Sequence, residues 1–166
     1  PDGIGDVILS IPVASQLRKL LPDVRIGFVT SPIVAPILER HPDVDYIRSI
    51  RWTDAPSILR AAFSDGVDAA IFLKPFRQLM WAAFLARVPL RVATGFRWYS
   101  PLANRRIYEH RSEFMKHESE YNVEMLKGLG LNPGPVNPPT LVLSSEERSA
   151  AAQYWTNLPN RRVVVH

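Results

Sequence analysis

AAIFL, residues 69–73, is the stretch on which the reading of the fold turns. A strand with one face in water alternates apolar and polar residues. This run is apolar throughout, as expected of a strand buried on both faces of a parallel sheet. A helical pattern follows from Arg77 to Ala86, and Arg91-Val92-Ala93-Thr94 reads as the next strand, ending at Gly95. On the N-terminal side, Arg25–Thr30 reads as a strand, Pro32–Arg40 as a short helix, Tyr46–Ile50 as a strand and Ser57–Phe63 as a helix. Strand and helix alternating at this rhythm predict an α/β fold: a Rossmann-like, mostly parallel sheet flanked by helices.

Beyond Gly95 the rhythm fades. FRWYSPLANRRIYEHRSEF, residues 96–114, mixes aromatics with arginines in no clean period and reads as a long connection, of the kind that tends to carry function. A helix is predicted over Lys116–Leu129, with Gly130 to stop it. NPGPVNPP, residues 132–139, holds four prolines and reads as an extended connector. Thr140–Leu143 is expected to form a short strand, and Ser144 and Glu147 stand at capping-box spacing before a last helix. RRVVVH, residues 161–166, is expected to be a strand. At the other end, PDGIGDVILSIP opens on a glycine-bracketed acidic turn of the kind that follows a strand. Both ends therefore read as falling in mid-motif.

The 166 residues are 46% hydrophobic and 22% charged, enough for a domain with a core. The absence of cysteine excludes disulfides, thiolate metal sites and a cysteine nucleophile. No apolar run approaches the ~18–20 residues of a membrane-spanning helix. The net charge of +4 is unevenly spread. Between Arg87 and His117 stand seven arginines and lysines against two glutamates, with His110 and His117 among them. Such a stretch is either a solvated basic surface or a face for an anionic partner.

Gly3-Ile4-Gly5-Asp6 is the first candidate for chemistry. Its glycines permit close backbone approach and leave N–H groups free at a helix start. Asp6 can serve there as a helix cap or as a general base. The turn is neither a dinucleotide fingerprint, which would need glycine at Ile8, nor a phosphate-binding Walker loop. Pro12 implies that the following helix starts late or is kinked. Lys74 lies at the carboxyl end of the buried strand, where open α/β sheets bind ligands. The four histidines lack metal-ligand spacing, and no serine has the G-x-S-x-G context of a nucleophile.

GIGDVILSIPVASQLRKLLPDVRIGFVTSPIVAPILERHPDVDYI, followed by VPLRVATGFR, NRRI and KHESEYNVEMLKGLGL, resembles the N-terminal half of the lipopolysaccharide heptosyltransferases, glycosyltransferase family 9. The resemblance implies the N-terminal half of a GT-B fold, in which two Rossmann-like domains face each other across a cleft. Residues 1–137 would be the acceptor-binding domain, lacking its first strand, and residues 138–166 a linker and the start of the donor-binding domain. It implies inverting transfer of heptose from ADP-heptose to an anionic lipopolysaccharide core, without metal or cofactor. Asp6 would be the base. Gly3, Gly5, Lys74, Arg97, Lys116 and His117 are the candidates for binding the acceptor. The donor would be held mainly by the absent second domain. The expected setting is the cytoplasm of a Gram-negative bacterium, with peripheral contact at the inner face of the inner membrane. A different class of function, a non-catalytic module binding anionic glycolipid through the basic stretch, fits the same residues. Nucleic-acid binding by the arginines with Trp98, Tyr99 and Tyr108 has no recognised motif behind it.

Overall fold

The computed structural model describes residues 3–111 and 115–156. Two short helices open the chain, α1 (Ile4–Ile8) and α2 (Ile11–Leu20). The break between them is where Pro12 demands it: Pro12 takes the second position of α2, where its missing N–H costs nothing. The break is also sealed by side chains. Ser10 Oγ donates to the Asp6 carbonyl at 2.6 Å, and buried Asn122 donates from Nδ2 to the Leu9 carbonyl at 3.1 Å.

Strands β1 (Gly27–Thr30) and β2 (Tyr46–Ser49) pair in parallel, with Gly27 opposite Tyr46. A second parallel sheet is formed by β3 (Ala69–Ile71), β4 (Leu90–Thr94) and β5 (Arg105–Ile107), in that order. Helix α3 (Pro56–Ala61) leads to β3, and α4 (Arg77–Leu85) connects β3 to β4. Phe72, Leu59, Phe63, Met80, Ala83 and Val88 form the core that joins these two helices to the second sheet. The opening helices contribute to two further cores. Val7 and Ile11 pack with Phe28, Ile47, Val34 and Leu38 on the first sheet's side, whereas Val13 packs with Ile71, Leu73, Val123 and Leu126 on the second's. One helical segment thus joins both sheets, and its first turn carries Asp6.

Helix α5 (Glu118–Glu124) tightens into a 3-10 turn over Met125–Leu129, and Gly130, at φ 78°, ends it in the left-handed conformation. Residues 132–139 carry no regular structure, as their prolines require, and α6 (Ser145–Thr156) begins with the expected box: Ser144 Oγ accepts from Glu147 N and Glu147 accepts from Ser144 N.

Three expectations are corrected. Pro32–Arg40 is not a helix but a 3-10 turn at Ala35–Ile37, because Pro36 deprives a longer helix of a donor. Thr140–Leu143 forms no strand; Leu141, Val142 and Leu143 are exposed, with no neighbouring strand among the described residues to complete a ladder. The connection after Gly95 contains a strand, β5, whose outward arginines at the sheet edge mask the apolar alternation expected of a strand. The strand expected over 161–166 lies outside the described residues.

Candidate active site

Within each sheet the strands run parallel, so their carboxyl ends share one edge, the edge where α/β folds bind ligands. Gly3 is the N-cap of α1, and the Asp6 carboxylate turns back to accept from its N–H at 3.1 Å. The same oxygen, Oδ2, accepts from Lys74 Nζ at 2.5 Å. Lys74 arrives from the loop after β3, 68 residues away in sequence. Two residues singled out separately are thus brought into one ion pair.

The Asp6 side chain is 45% exposed and that of Lys74 59%, so the pair is open to a ligand. Oδ1 of Asp6 has no hydrogen-bond partner among the described residues. The carboxyl is held below its usual value chiefly by the hydrogen bond from Lys74; partial burial opposes this, and the Gly3 N–H adds to it. The group is therefore ionised at neutral pH, with one oxygen pinned by two donors and the other free to take a proton. Asp6 is a cap and an exposed carboxylate at once, and the two readings of it do not compete.

The loop after β4 closes over the Lys74 loop. Tyr99 donates its hydroxyl hydrogen to the Pro75 carbonyl at 3.0 Å. Ser100 Oγ donates to Thr94 O at 2.7 Å and accepts from Arg97 N at 3.0 Å. The Arg97 side chain is exposed and makes no ion pair among the described residues. Trp52, just beyond β2, lies edge-on to Phe76 at 4.4 Å, and its buried Nε1–H finds no acceptor among the described residues.

Lys116 and His117 are committed elsewhere. Lys116 Nζ lies 2.6 Å from Glu124 and 3.6 Å from Glu109, over the ring of Tyr121, and the Glu124 hydrogen bond foremost raises its pKa. His117 is the N-cap of α5: Nδ1 accepts from Ser119 N, and Glu120 reaches back to the His117 N–H at 2.7 Å. No bond joins either residue to the Asp6–Lys74 pair. Gly5 has open space around its α-carbon, and a side chain added there would meet nothing within 4 Å. A cleft of about 390 Å³ lies on β5, lined in part by Arg105, Arg106 and Lys127, and shares no residue with the Asp6 turn. Among the described residues no group of three acidic or histidine side chains is placed to hold a metal, and no helix is long and apolar enough to cross a membrane.

Sequence reasoning missed the pairing of Asp6 with Lys74, the Tyr99 bridge and the part played by Asn122. The position of Lys74 at a strand's carboxyl end was the signal for the first. The other two depend on contacts between distant segments and leave no local pattern.

Comparison with solved structures places the fold. The chain aligns over 96% of its length with a family 9 glycosyl transferase from Veillonella parvula DSM 2008, at 20% identity and a TM-score of 0.80, covering 48% of that chain. It aligns over the same share with E. coli heptosyltransferase WaaC bound to ADP-2-deoxy-2-fluoro heptose (18% identity, TM-score 0.65, 53% of that chain). The likeness to WaaC bound to ADP has a TM-score of 0.60 at 20% identity. No family model matches the sequence, and no curated protein matches it at a significant level. The fold is thus the α/β architecture, parallel sheets flanked by helices, that makes up about half of a GT-B glycosyltransferase chain. The chain spans about half the length of these structures.

Proposed function

We propose that this chain is the N-terminal, acceptor-binding half of a glycosyltransferase of the family 9 type. In this reading, residues 1–137 form the acceptor domain and residues 138–166 lead into a donor-binding domain. The complete enzyme transfers heptose from ADP-heptose to the anionic inner core of lipopolysaccharide, at the cytoplasmic face of a Gram-negative inner membrane. The observation that carries the proposal is the exposed Asp6–Lys74 pair at the carboxyl edge of parallel strands.

The acceptor hydroxyl approaches the free Oδ1 of Asp6. Its oxygen attacks the anomeric carbon from the face opposite the leaving group. The bond from that carbon to the ADP oxygen breaks, ADP departs with the electron pair, and the hydroxyl proton passes to Asp6. A carboxylate of lowered pKa suffices, because the hydroxyl becomes strongly acidic only as the new bond forms. Lys74 keeps Asp6 ionised and fixes its orientation through Oδ2. Arg97, exposed and with no ion pair among the described residues, is the best placed of the basic candidates for an acceptor carboxylate or phosphate. Lys116 and His117 support the fold of that neighbourhood.

ADP release by the complete enzyme, with ADP-heptose and a Kdo-bearing lipid A acceptor, tests the proposal. Asp6→Asn is expected to cut acceptor-dependent release by about 10²–10⁴-fold with the fold intact, the range of a positioned base. An unchanged rate would leave Asp6 as a helix cap alone. No release by the wild type would favour a non-catalytic module for anionic glycolipid.

A further inference from the structure

The loops that follow β4 and β5 carry a group of aromatic side chains that the core does not use. Phe96 is 51% exposed, Trp98 75% and Tyr108 60%, although all three belong to the well-tied loops that leave β4 and β5. They fall into two sets of ring contacts. Phe96 and Tyr108 meet edge to face, their centroids 5.5 Å apart at 90°, and the His110 ring stands 4.8 Å from Phe96. Trp98 meets Tyr99 edge to face at 5.5 Å, and the Arg77 guanidinium lies 5.9 Å from the Trp98 ring. The close approach of Tyr108 explains Gly95: a Cβ there would stand 2.1 Å from the ring.

Exposed aromatics lose apolar burial that folding would otherwise use, and a cluster of them marks a contact surface. We propose that Phe96, Trp98 and Tyr108 form a stacking wall for a sugar ring of the acceptor, with Arg77 and Arg97 beside it to pair with a carboxylate or phosphate on that sugar. This rests on the acceptor-half reading above and adds the residues that select the acceptor. The apolar C–H face of a pyranose matches an open aromatic face, and its ring hydroxyls and acidic groups match the flanking guanidiniums. Position favours a saccharide over a membrane surface. Tyr99, adjacent to Trp98, is hydrogen-bonded to Pro75, and Pro75 adjoins Lys74, so the Trp98 end of the wall is tied to the loop whose lysine holds the carboxylate that would receive the acceptor's proton.

The test is binding without donor. The probes are a deacylated Kdo-bearing phosphorylated glucosamine disaccharide, a neutral oligosaccharide of similar length, and vesicles of anionic lipid free of glycan. Tryptophan fluorescence and calorimetry are read on wild type, Trp98→Ala and Phe96→Ala, with circular dichroism as the check on folding. The anionic saccharide is expected to bind best and to shift Trp98 emission. Its affinity should fall about 10-fold or more in Trp98→Ala, as for loss of a stacked ring. Phe96→Ala should reduce it several-fold. Affinity for the saccharide unchanged in both variants, or no binding of it at all, would overturn the wall. So would Trp98-dependent binding to vesicles alone, which would make the surface a membrane contact. Transfer activity is read separately. An enzyme that transfers heptose normally in both aromatic variants refutes the wall and leaves Asp6 as base, whereas saccharide binding with no transfer refutes the enzyme and leaves the wall.

Discussion

Two lysine–carboxylate groups in this molecule differ in how fully their charges are matched. Lys74 meets one carboxylate, Asp6, in a pair open to solvent at the carboxyl edge of the strands. Lys116 is bracketed by Glu109 and Glu124 and laid over Tyr121, so that its charge and its stem are both consumed by the neighbourhood. Near Asp6 the carboxylate keeps a free oxygen, whereas Glu124 divides its two oxygens between Lys116 and Lys127. The difference lies in how many partners a charge already has. A saturated cluster holds a fold together; an unsaturated pair can exchange a partner for a substrate.

The comparison breaks most readily where the two regions are joined. Asn122, from α5, donates to the Leu9 carbonyl at the break between α1 and α2 and accepts from Arg111 at 3.2 Å. Asn122→Ala strands a partly buried carbonyl and is expected to cost about 1–3 kcal/mol of stability in urea unfolding. If the opening turn is held by this bond, transfer should fall as well. Loss of stability with an unaltered rate would show that the turn is set by α1 alone.

A smaller effect separates the helix ends. The α5 segment closes on Gly130, while α4, which leaves the Lys74 loop, closes on Arg87 with φ 58°, a left-handed residue that is not glycine. Arg87→Gly is expected to stabilise by about 0.5–1 kcal/mol, because the relieved strain exceeds the added chain entropy. A thermal midpoint that stayed the same or fell would mean that the Arg87 side chain contributes through contacts of its own.

Legibility in the sequence followed the range of the forces involved. The alternation of AAIFL with amphipathic helices was enough for a parallel α/β fold, since burial on both faces leaves a continuous apolar signal. Gly130 and the Ser144–Glu147 box were legible because caps act within a few residues. The strand at Arg105–Ile107 was hidden by its short length and by edge arginines, and the expected strand at Thr140–Leu143 failed for want of a neighbour. The site divides in the same way. Asp6 and Lys74 stood out singly, one on a glycine turn and the other at a strand end, but their pairing depends on a fold that brings together residues 68 apart. Lys116 and His117 drew notice by residue type, and only their contacts show that Lys116 is paired with Glu109 and Glu124 and that His117 caps α5.

The proposed role of Lys74 is to hold Asp6 ionised so that Asp6 can act as base. The acid limb of the pH–rate profile for acceptor-dependent ADP release tests it most directly, in wild type, Lys74→Met and Lys116→Met. Asp6 has a lowered pKa chiefly because of Lys74, so it stays ionised down to a pH below the ordinary aspartate value. Without Lys74 the pKa rises, and activity should begin to fall at a higher pH as acid is added, while Lys116→Met leaves the limb in place. An acid limb that does not move in Lys74→Met, or moves equally in both variants, would contradict the account.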